Sequence, residues 1–241
     1  MKKIINSIIV LTTTAALFLT ACGSTPSSDS AAVTTPINVL ASTTFLADIA
    51  QNVAGDRLTV ASLLPFGADP HAYQAAPTDV AKIAESNLLI LNGVEYEHFI
   101  EPLLENAGGE RLVIEATAGL TPHQMEEHEG EVHTEGEEGH DHSAGDPHMW
   151  LDPNLVITYV ENIRDGLIEV DAEGADTYTA NAAAYIAQLK DLDKWIVEQV
   201  NTIPAERRLL VTNHEAVGYF AERYGFEIVG AVIPSLSTDA G

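Results

Sequence analysis

The sequence predicts an α/β fold in which a parallel sheet is followed by one long helix and then by the start of a second sheet. Up to about residue 115, short apolar runs alternate with segments of helical periodicity. A long stretch without glycine or proline comes later, and a strand, helix and strand pattern follows it. Strands separated by helices favour a parallel sheet covered on both faces, and such sheets bind ligands at the carboxyl ends of their strands.

The first α/β segment contains four predicted strands with helices between them. We expect the strands at residues 37–41, 58–64, 88–91 and 112–114, and the helices at residues 45–53, 80–84 and 99–104. Pro77 and Pro153 each mark a predicted helix start, because proline fits the first turn and small polar or acidic residues accompany it. Each of these starts follows a loop that contains a histidine.

Residues 175–200 predict one long helix, since apolar residues recur there at close to helical spacing. A strand, a helix and a second strand are then expected at residues 208–212, 215–224 and 226–232. Two strands are too few for an independent lobe like the first. We therefore expect the second lobe to be incomplete and a C-terminal portion to be absent after Gly241.

The expected domain organisation has five parts. They are a lipoprotein signal peptide over residues 1–22, a flexible tether over 23–36, an N-terminal α/β lobe over 37–174, a linking helix over 175–202 and the start of a C-terminal α/β lobe over 203–241.

The N-terminus has the pattern of an export signal that ends in a lipobox. Lys2 and Lys3 precede an apolar run that is short for a membrane span, and Leu-Thr-Ala stands directly before Cys22. Cys22 is the only cysteine, so an intramolecular disulfide and a cysteine-based zinc site are excluded. Its position predicts lipidation, which would anchor the protein to the outer side of the cell membrane or to the periplasmic face.

The chain is strongly acidic, with 36 acidic residues against 11 basic ones and a formal net charge of -25. A surface of this sign repels phosphate backbones and raises the local concentration of cations. We therefore expect no nucleic-acid partner.

Residues 122–143 predict a surface loop rich in histidine and acidic residues. Five histidines and eight carboxylates lie between residues 123 and 142, a composition that cannot form a packed core. A solvated acidic linker with incidental histidines is one interpretation. The other, which we favour, is auxiliary metal binding by His123, His128, His133, His140 and His142.

Three further histidines stand in ordered surroundings and are the candidate metal ligands. His71 and His148 share the tripeptide Asp-Pro-His, and His214 follows a predicted strand. All three are expected at the ligand-binding edge of α/β lobes. Imidazole nitrogen is a preferred zinc donor, and three imidazoles with one oxygen complete a tetrahedral site.

Several neighbours of these histidines could support them. Asp69, Asp146 and Asp152 are candidates to orient an imidazole through its other nitrogen. Tyr73 and Trp150 could form an apolar shell, although plain packing is an equal alternative. His98 is interpreted as a structural or surface residue.

Four separated blocks of sequence carry a family resemblance. They are Asp-Pro-His-Ala-Tyr at 69–73, Pro-Thr-Asp at 77–79, Asp-Pro-His-Met-Trp-Leu-Asp-Pro at 146–153, and Val-Thr-Asn-His-Glu-Ala-Val-Gly-Tyr-Phe at 211–220 with Tyr-Gly at 224–225. In these blocks the chain resembles the zinc- and manganese-specific solute-binding proteins of ABC transporters, and the resemblance extends over residues 37–241.

The resemblance implies a bilobed protein whose two parallel-sheet α/β lobes are joined by a long helix, with the metal in the cleft between them. The matching ligand positions are His71 and His148 from the first lobe and His214 from the second. A fourth ligand in the family is a late carboxylate or water, and it cannot be assigned here. The implied partners are an ABC permease and its ATPase, and no reaction is catalysed.

Zinc is the expected cargo and manganese is the alternative. Histidine at position 214, where some manganese-binding members carry glutamate, favours a borderline metal over manganese, which prefers oxygen donors. The histidine-rich loop, which zinc-binding members commonly carry, points the same way.

Two other functions stay open. A zinc hydrolase also needs three protein ligands and an open position, but the chain has no His-Glu-x-x-His motif and no evident general base. A surface metal buffer or adhesin without transport would show the same sequence features.

Overall fold

A four-stranded parallel sheet organises the first part of the chain. The computed structural model describes residues 36–124 and 144–233. The strands are β1 (Val39–Ala41), β2 (Val60–Ser62), β3 (Leu88–Leu91) and β4 (Leu112–Glu115), in the spatial order β2-β1-β3-β4. This arrangement confirms the predicted α/β class with a parallel sheet.

Helices cover both faces of this sheet. They are α1 (Thr44–Ala54), α2 (Pro77–Ala84), α3 (Ile100–Ala107) and α4 (Pro153–Val170). Successive side chains of a strand point to opposite faces, and β3 shows the consequence. Leu88 and Ile90 belong to a core with residues of α1 and α4, whereas Leu89 and Leu91 belong to a second core with residues of α2 and α3. The central strands are therefore apolar at every position.

The two predicted proline starts are confirmed. Pro77 begins α2, and the Asp79 carboxylate accepts a hydrogen bond from the backbone N–H of Ala76. Pro153 begins α4, where the side chain of Asp152 accepts from the backbone N–H of Asn154. In both cases an acidic group satisfies a backbone donor that the helix leaves unpaired.

The long helix α5 (Ala175–Val200) has the bounds that the sequence predicts and packs against α4 and α1. Its first turn is tied to the preceding segment, since Arg57 and the hydroxyl of Tyr178 both donate to the carboxylate of Asp171. This group fixes the start of α5 beside the end of α1.

A second, two-stranded parallel sheet follows α5. It consists of β5 (Leu209–Thr212) and β6 (Glu227–Ala231), with α6 (Gly218–Tyr224) between them. The predicted helix start at residue 215 is wrong, because residues 213–217 form a loop. Within it the Ala216 N–H donates to the carbonyl of His214, a bond too short in sequence for a helix. This loop holds His214 at the carboxyl end of β5.

The described residues from Ile37 to Ile233 belong to one compact unit. Within the described ranges, no helix combines the length and the apolar character needed to cross a membrane. Cys22, residues 23–35 of the tether and most of the histidine-rich loop, including His128, His133, His140 and His142, lie outside the described residues.

Candidate metal centre

Three histidines from separate parts of the chain come together at one point. His71 lies in the loop between β2 and α2, His148 directly precedes the 3-10 turn Met149–Leu151, and His214 follows β5. One ring nitrogen from each side chain lies within 4.8 Å of those of the other two. The ring centroids are 5.3 to 5.8 Å apart. Such a group of nitrogen donors could hold one metal ion.

His148 is the most constrained of the three. Its side chain is only 2% exposed, and the Oδ1 atom of Asp146 accepts from its backbone N–H at 2.9 Å and lies 2.8 Å from its Nδ1. The carboxylate therefore holds Nδ1 as the protonated nitrogen and leaves Nε2 with a free lone pair. Nε2 is buried without a hydrogen-bond partner. A buried unpaired nitrogen of this kind is what a metal ion would satisfy.

The surroundings keep His71 uncharged. The pKa of His71 is lowered to about 4, first by burial and next by the neighbouring His148, whereas the carboxylate of Asp69 acts in the opposite direction. Burial, with His148 second, also lowers the pKa of His214. At neutral pH both rings therefore present a lone pair, the form that binds a metal.

Aromatic rings form one wall of the centre. The Trp150 ring lies 5.1 Å from the ring of His148, and Phe45 stacks on Trp150 at 4.3 Å. The Tyr96 ring contacts His71 edge to face at 5.4 Å. Trp150 thus has the position expected for an apolar shell. Tyr73 packs instead against Phe99 and donates to Asp79, and so belongs to the core beside α2.

A strained turn after β3 supports this wall, and it was not anticipated from the sequence. Gly93, Val94 and Glu95 all have positive φ, at 90°, 55° and 54°, which is costly for a β-branched residue such as Val94. The buried carboxylate of Glu97 holds the turn by accepting from the backbone N–H groups of Asn92 and Gly93. The Asn-Gly pair is a turn signal, but nothing local to Glu97 indicates its burial.

The same turn is connected to the loop that carries His148. Asn92 donates from its side-chain amide to the carbonyl of Pro147 at 3.1 Å and accepts from the buried hydroxyl of Tyr159 at 2.8 Å. Glu97 also accepts from the hydroxyl of Ser42 at 2.6 Å. Burial raises the pKa of Glu97 to about 7. A network of buried polar groups therefore fixes the backbone beside His148.

The three candidate carboxylates have different environments. Asp146 orients His148, as described above. Asp69 accepts from the backbone N–H of His71 at 3.0 Å. Asp152 caps α4 and lies 3.3 Å from Nε of Arg223 on α6, so it contacts a backbone amide and a guanidinium.

Two other histidines lie close to the centre without joining it. His98 lines a small pocket together with His71 and Glu95. His123, the first histidine of the predicted loop, packs on α6, where its ring stacks on Tyr219.

Comparison with known proteins shows the family to which the chain is similar. The model of the family described as "Zinc-uptake complex component A periplasmic" matches residues 39–241. The chain is 35% identical over 230 residues to the manganese-binding lipoprotein MntA of Halalkalibacterium halodurans, covering 95% of this chain and 71% of that protein. It is 33% identical over 235 residues to the manganese ABC transporter substrate-binding lipoprotein scaA of Streptococcus gordonii, covering 96% and 72%.

Among solved structures, the periplasmic zinc-binding protein TroA from Treponema pallidum has a TM-score of 0.71 at 28% identity, covering 85% of this chain and 69% of that one. The family match extends over most of the chain and includes all three histidines. The chain therefore belongs to the zinc-uptake complex component A family and is a metal-binding substrate-binding protein of the ABC-transporter type.

Proposed function

We propose that the protein captures Zn²⁺ outside the cytoplasm and delivers it to the permease of an ABC importer, with His71, His148 and His214 as the protein ligands. The observation that carries the proposal is the buried Nε2 of His148, which has no hydrogen-bond partner, in a side chain that offers one ring nitrogen within 4.8 Å of those of His71 and His214. A water molecule or a carboxylate would occupy the fourth position of a tetrahedral zinc site.

The donor set favours zinc over manganese. Imidazole suits zinc, whereas manganese prefers carboxylate, carbonyl and water ligands. The relatives named above differ in their metal, since MntA and scaA are named for manganese and TroA for zinc. The three nitrogens of this chain are therefore the stronger guide to its cargo.

The steps before and after capture follow from the sequence features around the site. Lipidation of Cys22 would tether the protein to the membrane next to its permease, whose ATPase drives import. The acidic surface and the histidine-rich loop would collect cations weakly near the cleft. In this proposal His128, His133, His140 and His142 act in collection and not in the cleft.

Metal choice is tested by competitive titration of zinc and manganese against chelators of known affinity. The protein should bind zinc more tightly than manganese. His214→Glu should reduce the ratio of zinc affinity to manganese affinity, because it exchanges a nitrogen donor for an oxygen donor. His98→Ala is the matched control, because it removes an imidazole that lies near His71 but does not belong to the three-histidine group. A parent protein that prefers manganese would overturn the assignment of zinc.

Transport is tested by growth of a strain that lacks the protein. Poor growth under zinc limitation, rescued by added zinc or by the parent gene but not by a His148→Ala variant, would support import. Normal growth of the strain would instead favour a surface metal buffer or adhesin.

A further inference from the structure

The chain enters and leaves the histidine-rich loop at one point beside the metal centre, where His123 lies next to Gly145 and Asp146. We call these three residues the neck. The backbone N–H of Asp146 donates to the carbonyl of His123 at 3.0 Å. Gly145 has a φ of 95°, and a Cβ atom there would lie 2.6 Å from the same carbonyl. Only glycine therefore fits at position 145. The next residue is Asp146, whose carboxylate orients His148.

Helix α6 closes on this neck through the hydroxyl of Tyr219. The hydroxyl accepts from the backbone N–H of His123 at 2.9 Å and donates to the carbonyl of Asp146 at 2.6 Å. The first residue of α6 also lies close to the carboxylate of Asp146, because a Cβ atom on Gly218 would be 3.2 Å from Oδ2 of Asp146. One buried residue of α6 thus bridges both ends of the loop.

The side chain of His123 adds two contacts of its own. Its ring stacks on that of Tyr219 with centroids 3.9 Å apart and an interplanar angle of 20°. Its Nε2 lies 2.9 Å from a carboxylate oxygen of Glu222, one turn further along α6. The ring is 40% exposed but bound on two sides, an arrangement that a loosely placed metal collector would not need.

This junction stands between two of the three metal ligands. Asp146 fixes His148 on one side. On the other, α6 begins four residues after His214, so the position of the helix sets the position of the loop that carries this ligand. The distance between His148 and His214 therefore depends on how α6 is held against the neck.

We propose that His123 is a positioning residue for the metal centre. Its contacts with α6, which we call the latch, hold this helix against the neck and so hold His214 in place opposite His148. The inference rests on the proposed function for its metal, and it gives His123 a role different from that of the other loop histidines. Stacking and pairing with α6 keep the three donors preorganised, so loss of the ring should accelerate release of the ion.

The first test does not require metal. Hydrogen exchange of the metal-free protein should show faster exchange of backbone amides in Gly218–Tyr224 for His123→Ala than for the parent. His123→Phe, which keeps a ring on Tyr219, should restore part of the protection. His128→Ala removes a histidine from the same loop and should leave α6 unchanged. Equal exchange in the parent and His123→Ala would overturn the latch.

The second test uses zinc and cobalt. His123→Ala should release zinc to a chelator about tenfold faster than the parent, as expected for loss of a group that supports a metal ligand, and should alter the ligand-field absorption of bound Co²⁺. Tyr185→Phe, at a half-buried position on α5, should do neither. If the parent binds one ion tightly and His123→Ala has the same release rate and cobalt spectrum, the latch is wrong while the proposed function stands. Failure of the parent to bind zinc would refute the proposed function, and the exchange experiment would still decide the latch.

Discussion

His71 and His214 lie where burial and a neighbouring imidazole oppose a positive charge. The pKa of His71 falls to about 4 and that of His214 is lowered from its ordinary value. A metal competes with protons for these nitrogens, and the competition becomes severe only as the pH approaches the pKa of the folded protein. The depressed values therefore allow binding at pH values at which an ordinary histidine is already charged.

The His71 ring of the metal-free protein should accordingly stay uncharged between about pH 8 and pH 6 and take up a proton, in competition with zinc, only below about pH 5. Proton NMR of the histidine rings at a series of pH values, with His71→Ala to assign the signal, measures this. A His71 ring that titrates near the ordinary pKa of histidine, about 6.5, would contradict its burial. The same shift predicts that the metal-free protein loses stability as the pH falls from about 6.5 towards 4, because only the unfolded chain then takes up the proton.

Asp146 orients the ring of His148, because its Oδ1 contacts both the backbone N–H and the Nδ1 of that residue. Asp146→Asn keeps an oxygen that can accept from the His148 backbone N–H but removes the charge that favours a protonated Nδ1. We expect zinc affinity to fall by about 10- to 100-fold, the usual effect of losing such a partner. Asp152→Asn is a suitable control, since Asp152 caps α4 and contacts Arg223. If both variants bind as the parent does, Asp146 has no orienting role.

Elements position the site through a buried polar network, and α4 supplies one of its hydrogen bonds. Tyr159→Phe removes the hydroxyl that donates to Asn92 and leaves a buried amide oxygen without this donor. The variant should lose about 1–3 kcal/mol of unfolding free energy. Tyr185→Phe, at a half-buried position on α5, should stay within about 0.5 kcal/mol of the parent, as is usual away from such networks. Chemical denaturation of the metal-free protein measures both, and equal losses would show that the Asn92 bond contributes nothing specific.

The elements differ in how well the sequence predicts them. The bounds of α5 were predictable because no glycine or proline interrupts its apolar spacing, and β3 because all of its residues are apolar. The start of α6 was placed three residues early, because residues 215–217 are compatible with a helix and only the fold holds them as a loop. Local pattern does not contain that information.

The candidate site shows the same limit. The three histidines could be singled out from the repeated Asp-Pro-His and from the strand before His214. The buried Glu97 could not, because its partner Ser42 is 55 residues away in sequence and the surrounding polar residues suggest exposure. Contacts between distant segments, and not residue type, decide which acids support the centre.

At the scale of the whole molecule, α5 and α6 connect the two sheets. Arg223 of α6 makes two hydrogen bonds of 2.8 Å to Asp193 of α5, and it lies 3.3 Å from Asp152 at the start of α4. A planar guanidinium paired to a carboxylate in this way restricts orientation as well as distance. The second sheet is therefore tied to both the long helix and the first lobe, which favours small adjustments on metal binding over a wide hinge motion.

The acidic surface of the chain should affect how fast cations reach the protein, but it does not decide which metal ion the site binds. A net charge of -25 attracts any cation over a distance set by ionic strength. In the proposed function, selection among cations comes from the three histidine nitrogens. The charged surface should therefore influence the association rate, and the cleft should determine the affinity.

The most direct test of the three-histidine centre is zinc titration of a soluble form beginning at residue 23, alongside one lacking residues 125–143 and one carrying His148→Ala. The parent and the deletion should both bind one zinc ion tightly, and His148→Ala should lose that ion while retaining the weak binding of the loop. Tight binding that disappears with the loop and survives His148→Ala would place the metal outside the cleft and contradict the assignment of His71, His148 and His214.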